Sequence, residues 1–424
     1  MGKFTITFQK KKTYSVPQIL ICLLIIIIPL TSVLSSIIGI AGAIKDFICL
    51  LLCAYAVLKW RNQILWVSLC PILYFLLVIL GAIFNDNIFE SVRYRCEFAI
   101  AFALFFSALK LNKKNRELLI KSIIYTIYFI GVVVALIAVI EFFNPNLVHR
   151  IYGNNLTQHM SLIFGTNTSS RLISTMANPI NLGLQMSISC AASLGLFFCD
   201  STSRKSKIIY ICSSLLFVWV IAFTYSRTAY FVVAVIFFSF LLLQLRTVKI
   251  QKKVLICAFG IIALVILYQF IMNNATLSAR IGNISFQEFS TNIRFNRAVS
   301  AFEASDKTLW GYLFGFGIGD TVGESGQYIF EFGLASLLYE TGIASLIIYI
   351  IVIVKAIISC RYILNQECYT LFEKVAASMF LSVILGFCAA MATEDVYMQL
   401  PYNMYLWLSV FVVERIKVDG RQTS

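Results

Sequence analysis

Charge is scarce in this chain. Only 13% of its 424 residues are Asp, Glu, Lys or Arg, while 60% are hydrophobic. A soluble domain carries about 25% charge, so the deficit excludes a string of soluble domains and points to an integral membrane protein. Histidine is scarcer still. His149 and His159 are the only two; they lie ten apart with no Cys or acidic partner at ligating spacing, so neither a bound metal nor a cofactor is expected. Low-complexity segments and internal repeats are lacking, which leaves one continuous domain over 1–424. There is no basic, aromatic-interleaved stretch of the kind that binds RNA, so the net charge of +14 does not imply a nucleic-acid partner. None of the twelve cysteines lies in the long loops described below, and none is spaced for a metal or a disulfide framework. Within apolar runs a thiol acts as a small apolar group. The apolar run after Lys10-Lys11-Lys12 is long and has no small-residue cleavage site, so it reads as a retained first span.

What the chain has is apolar runs. A membrane span needs about 20 such residues, and twelve stretches qualify: 16–40, 44–58, 63–84, 92–109, 118–142, 179–199, 207–224, 228–245, 254–271, 330–354, 375–391 and 400–414. The run 207–245 is too long for one helix and divides at its polar break, Tyr225-Ser226-Arg227-Thr228. The expected fold is therefore an all-α polytopic membrane protein of about twelve transmembrane helices, with both termini on one side. The lysine-rich segments Lys59–Arg61, Lys110–Arg116, Arg204–Lys207, Arg246–Lys253 and Arg361–Lys374 then share that side, joined by Arg415 and Lys417. This is the distribution that marks a cytoplasmic face.

Two outer loops are large, at about 143–178 and 272–329. Within the second, Phe289, Ile293, Phe295, Val299 and Phe302 recur at helical spacing, which predicts an amphipathic helix on the membrane surface or capping the bundle. The glycines from Gly311 to Gly319 are too dense for a regular helix and predict a tight, close-packed turn.

The basic residues divide unevenly by type. The cytoplasmic group of 24 is mostly lysine, 17 Lys and 7 Arg; the outer group of 10 is Arg93, Arg95, Arg150, Arg171, Arg227, Arg280, Arg294 and Arg297, with only Lys45 and Lys307. Arginine on the outer side opposes the topology rule, so some other requirement holds it there. Guanidinium is the side chain of choice for bidentate contact with phosphate or carboxylate, and the pattern reads as an outer site for an anionic substrate. Arg227, at a helical hairpin tip, is either a rigidly held phosphate contact or an arginine snorkelling to headgroups. Arg294 and Arg297 share one helix face; they belong either to that site, with Arg280 upstream, or to a surface helix salt-bridged to Glu303 and Asp306. Arg171 leads into Asn178-Pro179, where Asn178 suits a helix cap and Pro179 the first helical turn, so that segment also has a purely structural reading. The outer carboxylates are Asp86, Glu90, Glu303, Asp306, Asp320, Glu324, Glu331, Glu394 and Asp395. Glu331, on or near the tenth span with Glu340, sits either at the interface or against a wet cavity.

Four stretches, in this order, resemble the O-antigen polymerase and ligase superfamily. They are Met176-Ala177-Asn178-Pro179-Ile180-Asn181-Leu182-Gly183, then Thr224-Tyr225-Ser226-Arg227-Thr228-Ala229, then the Arg-led segment from Arg294 through Gly319, and last Tyr339-Glu340-Thr341-Gly342-Ile343-Ala344-Ser345. The ligase branch carries a His-Asn pair about nine residues before the Glu-x-Gly; here that neighbourhood reads Ile329-Phe330-Glu331-Phe332, without histidine. The resemblance thus implies a Wzy-type polymerase, in the bacterial inner membrane with its site facing the periplasm. It would move a growing glycan from undecaprenyl pyrophosphate to a hydroxyl of the next lipid-linked repeat unit. Implied partners are the undecaprenyl-pyrophosphate-linked oligosaccharide and membrane lipids, with a chain-length regulator as a further candidate. Arg227, Arg294, Arg297, Arg171 and Arg280 would bind pyrophosphate, and Glu331, or else Glu324 or Asp320, would take the acceptor proton. The alternatives are the ligase, a flippase for the same lipid-linked unit, which would place arginines deep in its spans and show pseudo-repeated halves, and a non-enzymatic assembly factor.

Overall fold

The computed structural model describes residues 16–39, 41–59, 65–83, 88–109, 111–152, 171–199, 203–244, 308–316, 333–394, 396–397 and 399–421, with Gln269 and Phe302 besides. Among them every regular element is helical. In chain order these are α1 (Val16–Ile38), α2 (Ala41–Leu58), α3 (Leu69–Ile83), α4 (Ile88–Ala108), α5 (Lys113–Phe143), α6 (Pro145–Tyr152), α7 (Pro179–Phe198), α8 (Arg204–Phe223), α9 (Arg227–Gln244), α10 (Leu309–Phe314), α11 (Gly333–Asn365), α12 (Leu371–Met391) and α13 (Tyr402–Arg421), with short 3-10 turns at Trp66–Ser68 and Ser174–Met176. Seven of them, α1, α5, α7, α8, α9, α11 and α12, are long and apolar enough to cross a membrane, which makes this a multi-pass protein by helix length and composition. The 3-10 turn at Trp66–Ser68 with α3 carries the shorter apolar stretch Trp66–Gly81, and α4 contains Cys96–Ala108. The expected span 254–271 lies outside the described residues except for Gln269.

Local sequence explains where the helices start. Asn112 accepts the Asn115 N–H at 2.9 Å and caps α5, and Ser203 accepts the Ser206 N–H at 3.2 Å and caps α8. Thr370 and Glu373 form a reciprocal capping box on α12, which satisfies two N–H groups that a helix start otherwise leaves without partners. Asn178 accepts the Ile180 N–H at 2.8 Å with Pro179 in the first turn of α7, as expected.

Helices α7, α12 and α13 form the interior. Helix α13 is buried almost throughout, packing on α4, α11 and α12, and α9 packs on both α7 and α12. Close approach is bought with small residues, as in membrane bundles generally. A Cβ on Gly183 of α7 would fall 2.3 Å from the Ala229 Cβ of α9.

The bundle has two chemically distinct ends. At one, Arg116 of α5 pairs with Glu373 of α12, its Nη2 lying 2.5 Å from Oε1, both fully buried. Arg415 grips Asp419 through Nε and Nη2 at 2.9 and 2.6 Å. Lys417 donates to Ser359 at 3.0 Å, and Ser359 donates to Glu414 at 2.5 Å. This corrects the reading of Arg116, Arg415 and Lys417 as loop charges. The last helix does not stop near 414 but runs to Arg421, because the charges of Arg415, Lys417 and Asp419 are paired inside the bundle rather than solvated. Lys45, inside the expected span 44–58, lies in α2 and donates to Glu97 of α4 at 2.6 Å and to Asp46 at 2.8 Å.

Candidate functional site

The opposite end carries Arg227. Helix α8 stops at Phe223 and α9 starts at Arg227, which leaves three residues to reverse the chain. The sequence signal for this split, one polar tetrad inside an apolar run, is borne out. Hydrogen bonds make the turn rigid. Thr224 Oγ1 donates to Ile221 O at 2.7 Å and accepts the Ser226 N–H at 3.3 Å. Ser226 Oγ caps α9 by accepting the Ala229 N–H at 3.3 Å, and the Tyr230 hydroxyl reaches back to Ala222 O at 2.6 Å. Arg227 itself is exposed, and among the described residues its guanidinium makes no hydrogen bond or ion pair.

The segment entering α7 is locked to this turn. Arg171 Nε donates to Thr224 O at 2.8 Å, and the Leu172 N–H donates to Phe223 O at 3.1 Å. From below, the buried Glu141 carboxylate near the end of α5 accepts the Ile173 N–H at 3.1–3.2 Å and the Ser174 N–H at 2.7 Å. The Tyr152 hydroxyl at the end of α6 donates to Ser174 O at 2.6 Å, and Ser32 of α1 donates to Met176 O at 3.3 Å. Burial, and then the nearby Glu141 carboxylate, push the Tyr152 hydroxyl well above its usual range, so it stays a neutral donor.

Three non-glycine residues here have left-handed backbone: Ser174 (φ +47°), Ala177 (φ +55°) and Tyr225 (φ +49°). Such conformations cost about 1–3 kcal/mol each and persist only where surrounding contacts over-determine them. The strain lies in the two segments that carry Arg171 and Arg227. Glu141 therefore fixes the backbone of this strained segment, and Glu141→Gln is predicted to destabilise the protein by about 1–3 kcal/mol, because the amide places a donor against the Ile173 and Ser174 N–H groups. Thermal unfolding of the purified variant checks this; a wild-type melting temperature would show that the contact contributes nothing.

The other two family-like stretches also meet. Helix α11 is broken at Gly342 (φ +74°, ψ +175°), and α10 is inserted at the break. The Phe316 N–H donates to Tyr339 O at 2.7 Å. A Cβ on Gly315 (φ +92°) would lie 2.2 Å from Glu340 O, and one on Gly342 would lie 2.2 Å from Leu313 O, so neither position has room for a side chain. The expectation of a close-packed glycine turn holds. The exclusion of helix does not, because Leu309–Phe314 is helical through Gly311, capped by Thr308 Oγ1 accepting the Gly311 N–H at 3.1 Å, and the reversal falls at Gly315. Beside the break, the buried Glu340 carboxylate accepts the Tyr397 hydroxyl.

Of the sequence-predicted site residues, Arg171 is tied through the Thr224 carbonyl to the turn that carries Arg227. Arg280, Arg294, Arg297, Asp320, Glu324 and Glu331 lie outside the described residues, as do the side chains of Arg93, Arg95 and His149, the whole of His159, and the expected amphipathic helix apart from Phe302. Arg150 is exposed on α6. Glu141 and the Glu340–Tyr397 pair are absent from the sequence-based site. Glu141 had a visible signal, a single carboxylate at the end of an otherwise apolar span, where an ionisable group is costly to place. Among the described residues no three His, Cys, Asp or Glu side chains gather as a metal site. The chain matches no protein-family model and no curated protein.

Such an arrangement can hold a polyanion. Two guanidinium groups on a rigid hairpin and its locked neighbour offer charge-assisted donors, and their fixed backbone reduces the reorganisation needed to receive charge.

Proposed function

We propose that this protein is a Wzy-type polysaccharide polymerase. It would be an inner-membrane glycosyltransferase of about twelve spans, with cytoplasmic termini, that extends a glycan on its periplasmic face. The observation that carries the reading is Arg227, exposed and without a protein partner among the described residues, on a hairpin tip held rigid against Arg171. A merely snorkelling arginine needs neither a strained turn nor a second arginine locked to it.

In this reading Arg227 and Arg171, joined by Arg294, Arg297 and Arg280 of the second outer loop, hold the pyrophosphate of a lipid-linked glycan donor. A hydroxyl of the acceptor repeat unit attacks the donor's anomeric carbon. The new glycosidic C–O bond forms as the C–O bond to pyrophosphate breaks, and undecaprenyl pyrophosphate departs with the bonding pair. Arginines neutralise the charge that builds on the leaving group. The acceptor proton passes to a carboxylate, for which Glu331, Glu324 and Asp320 are the candidates. The product is one repeat unit longer and remains lipid-linked.

The test is turnover of an undecaprenyl-pyrophosphate-linked repeat unit by purified protein in detergent with a chelator present. A ladder of lengthening glycan is expected. No ladder, but transfer of the lipid across a liposome bilayer, would make the protein a flippase instead.

A further inference from the structure

An aromatic ladder leads along the outside of the bundle to the Arg227 turn. The Phe142 ring lies 5.4 Å from that of Phe143, 5.1 Å from Trp219 and 4.9 Å from Phe223, centroid to centroid. Trp219 and Phe223 are 4.8 Å apart, and Phe223 is 6.3 Å from Tyr225. Phe143 is 79% exposed and Phe142 41% exposed, Trp219 and Phe223 are half-buried against the core, and Tyr225 is buried, so the ladder opens to the surface at its α5 end and is anchored in the core at the turn. Its last ring belongs to left-handed Tyr225, two residues before Arg227. The backbone joins the two chemistries as well, since Phe223 O accepts the Leu172 N–H and Thr224 O accepts Arg171 Nε. One turn of chain thus presents an apolar aromatic surface contiguous with a pair of guanidinium groups.

We infer that this ladder, formed by the ends of α5 and α8, is the docking surface for the polyprenyl tail of the lipid-linked substrate. The inference rests on reading Arg171 and Arg227 as the pyrophosphate site. An amphiphile with an anionic head and a long branched hydrocarbon tail matches the sequence of surfaces in order: guanidinium, then the half-buried Phe223 and Trp219, then Phe142 and Phe143. Burial from water supplies little preference here, because ordinary acyl chains cover the same rings in a bilayer. Selectivity comes instead from dispersion contacts with rigid aromatic planes that flexible acyl chains match less well. Contacts of that kind give a modest preference, and the ladder sets which lipid tail enters beside the anion site.

The experiment uses the full chain in nanodiscs with a photoactivatable undecaprenyl pyrophosphate carrying its reactive group part-way along the tail. Crosslinks are expected at Phe142, Phe143 or Trp219, displaced by undecaprenyl pyrophosphate and not by the same amount of phosphatidylglycerol. The double variant Phe142→Leu with Trp219→Leu keeps an apolar surface and is expected to bind undecaprenyl pyrophosphate about tenfold more weakly, with binding of geranyl pyrophosphate unchanged. Crosslinks confined to other helices, equal displacement by phosphatidylglycerol, or equal weakening of both pyrophosphates would each overturn the inference. Crosslinking and the chain-length preference without glycan turnover would leave the docking surface standing and remove the polymerase. A glycan ladder with crosslinks elsewhere would do the reverse.

Discussion

Arg227→Ala is expected to abolish glycan lengthening while the protein accumulates normally. The side chain is exposed and Ser226, not Arg227, caps α9, so its loss removes no structural contact among the described residues. In the proposed reading, what it does remove is a charge-assisted donor on the leaving pyrophosphate. Deleting one preorganised donor at such a position costs roughly 2.7–4 kcal/mol of transition-state stabilisation, about a hundred- to a thousandfold in kcat. Arg227→Lys keeps the charge but loses the bidentate fork, and an intermediate rate is expected. Turnover of purified variants, beside thermal unfolding and protein yield, measures both effects. Wild-type ladders from Arg227→Ala would reduce this arginine to a headgroup contact and take the proposed chemistry with it.

Arg116→Ala is expected to have the largest effect on stability. Glu373 is completely buried, with one oxygen on Arg116 and the other accepting the Thr370 N–H at 2.9 Å. Removing the guanidinium leaves that carboxylate without its counter-charge, and breaking a buried pair from one side costs about 3–5 kcal/mol. Glu373→Ala leaves Arg116 buried and unpaired, and also removes half of the capping box on α12. The double replacement Arg116→Met with Glu373→Leu strands no charge, so it is expected to be more stable than either single variant. Yield and thermal unfolding in detergent decide the matter; single variants that melt like the parent would show that the pair contributes nothing. The distinction from Arg227 is diagnostic. Arg116 variants should lose protein, whereas Arg227 variants should lose activity at constant protein.

These two arginines also show how far the sequence could be read. Both were assigned by the same counting of positive charge along an expected topology, and the helical, multi-pass character was legible because the apolar runs are long and interrupted by polar breaks. In a bilayer, backbone hydrogen bonds must close within each segment, so an apolar run of sufficient length has to be a helix. The break at Tyr225-Ser226-Arg227-Thr228 and the Asn178-Pro179 start of α7 followed from local chemistry alone. Counting charge by side could not distinguish a solvated arginine from a buried one. Arg116, Arg415 and Lys417 looked like loop charges because their partners are remote or lie on the far side of a presumed span end. Glu373 is 257 residues from Arg116, and Ser359 is 58 from Lys417.

The candidate site divides in the same way. The preference for arginine over lysine in the segments expected on the outer side is visible along the sequence, and it marked eight arginines, Arg171 and Arg227 among them. The tie of Arg171 to the Thr224 carbonyl, the Glu141 carboxylate that holds Ile173 and Ser174, and the insertion of α10 at the Gly342 break depend on contacts between segments tens of residues apart. No local propensity encodes such contacts. By itself the sequence determined that the chain is helical and multi-pass, that the run 207–245 divides at Tyr225-Ser226-Arg227-Thr228, and that α7 starts at Pro179. The tertiary structure alone decided which charges are neutralised inside the bundle, which backbone positions carry strain, and which of two similar arginines stands free to meet a ligand. Those properties are set by distance and burial, and helices brought together from opposite halves of the chain establish both.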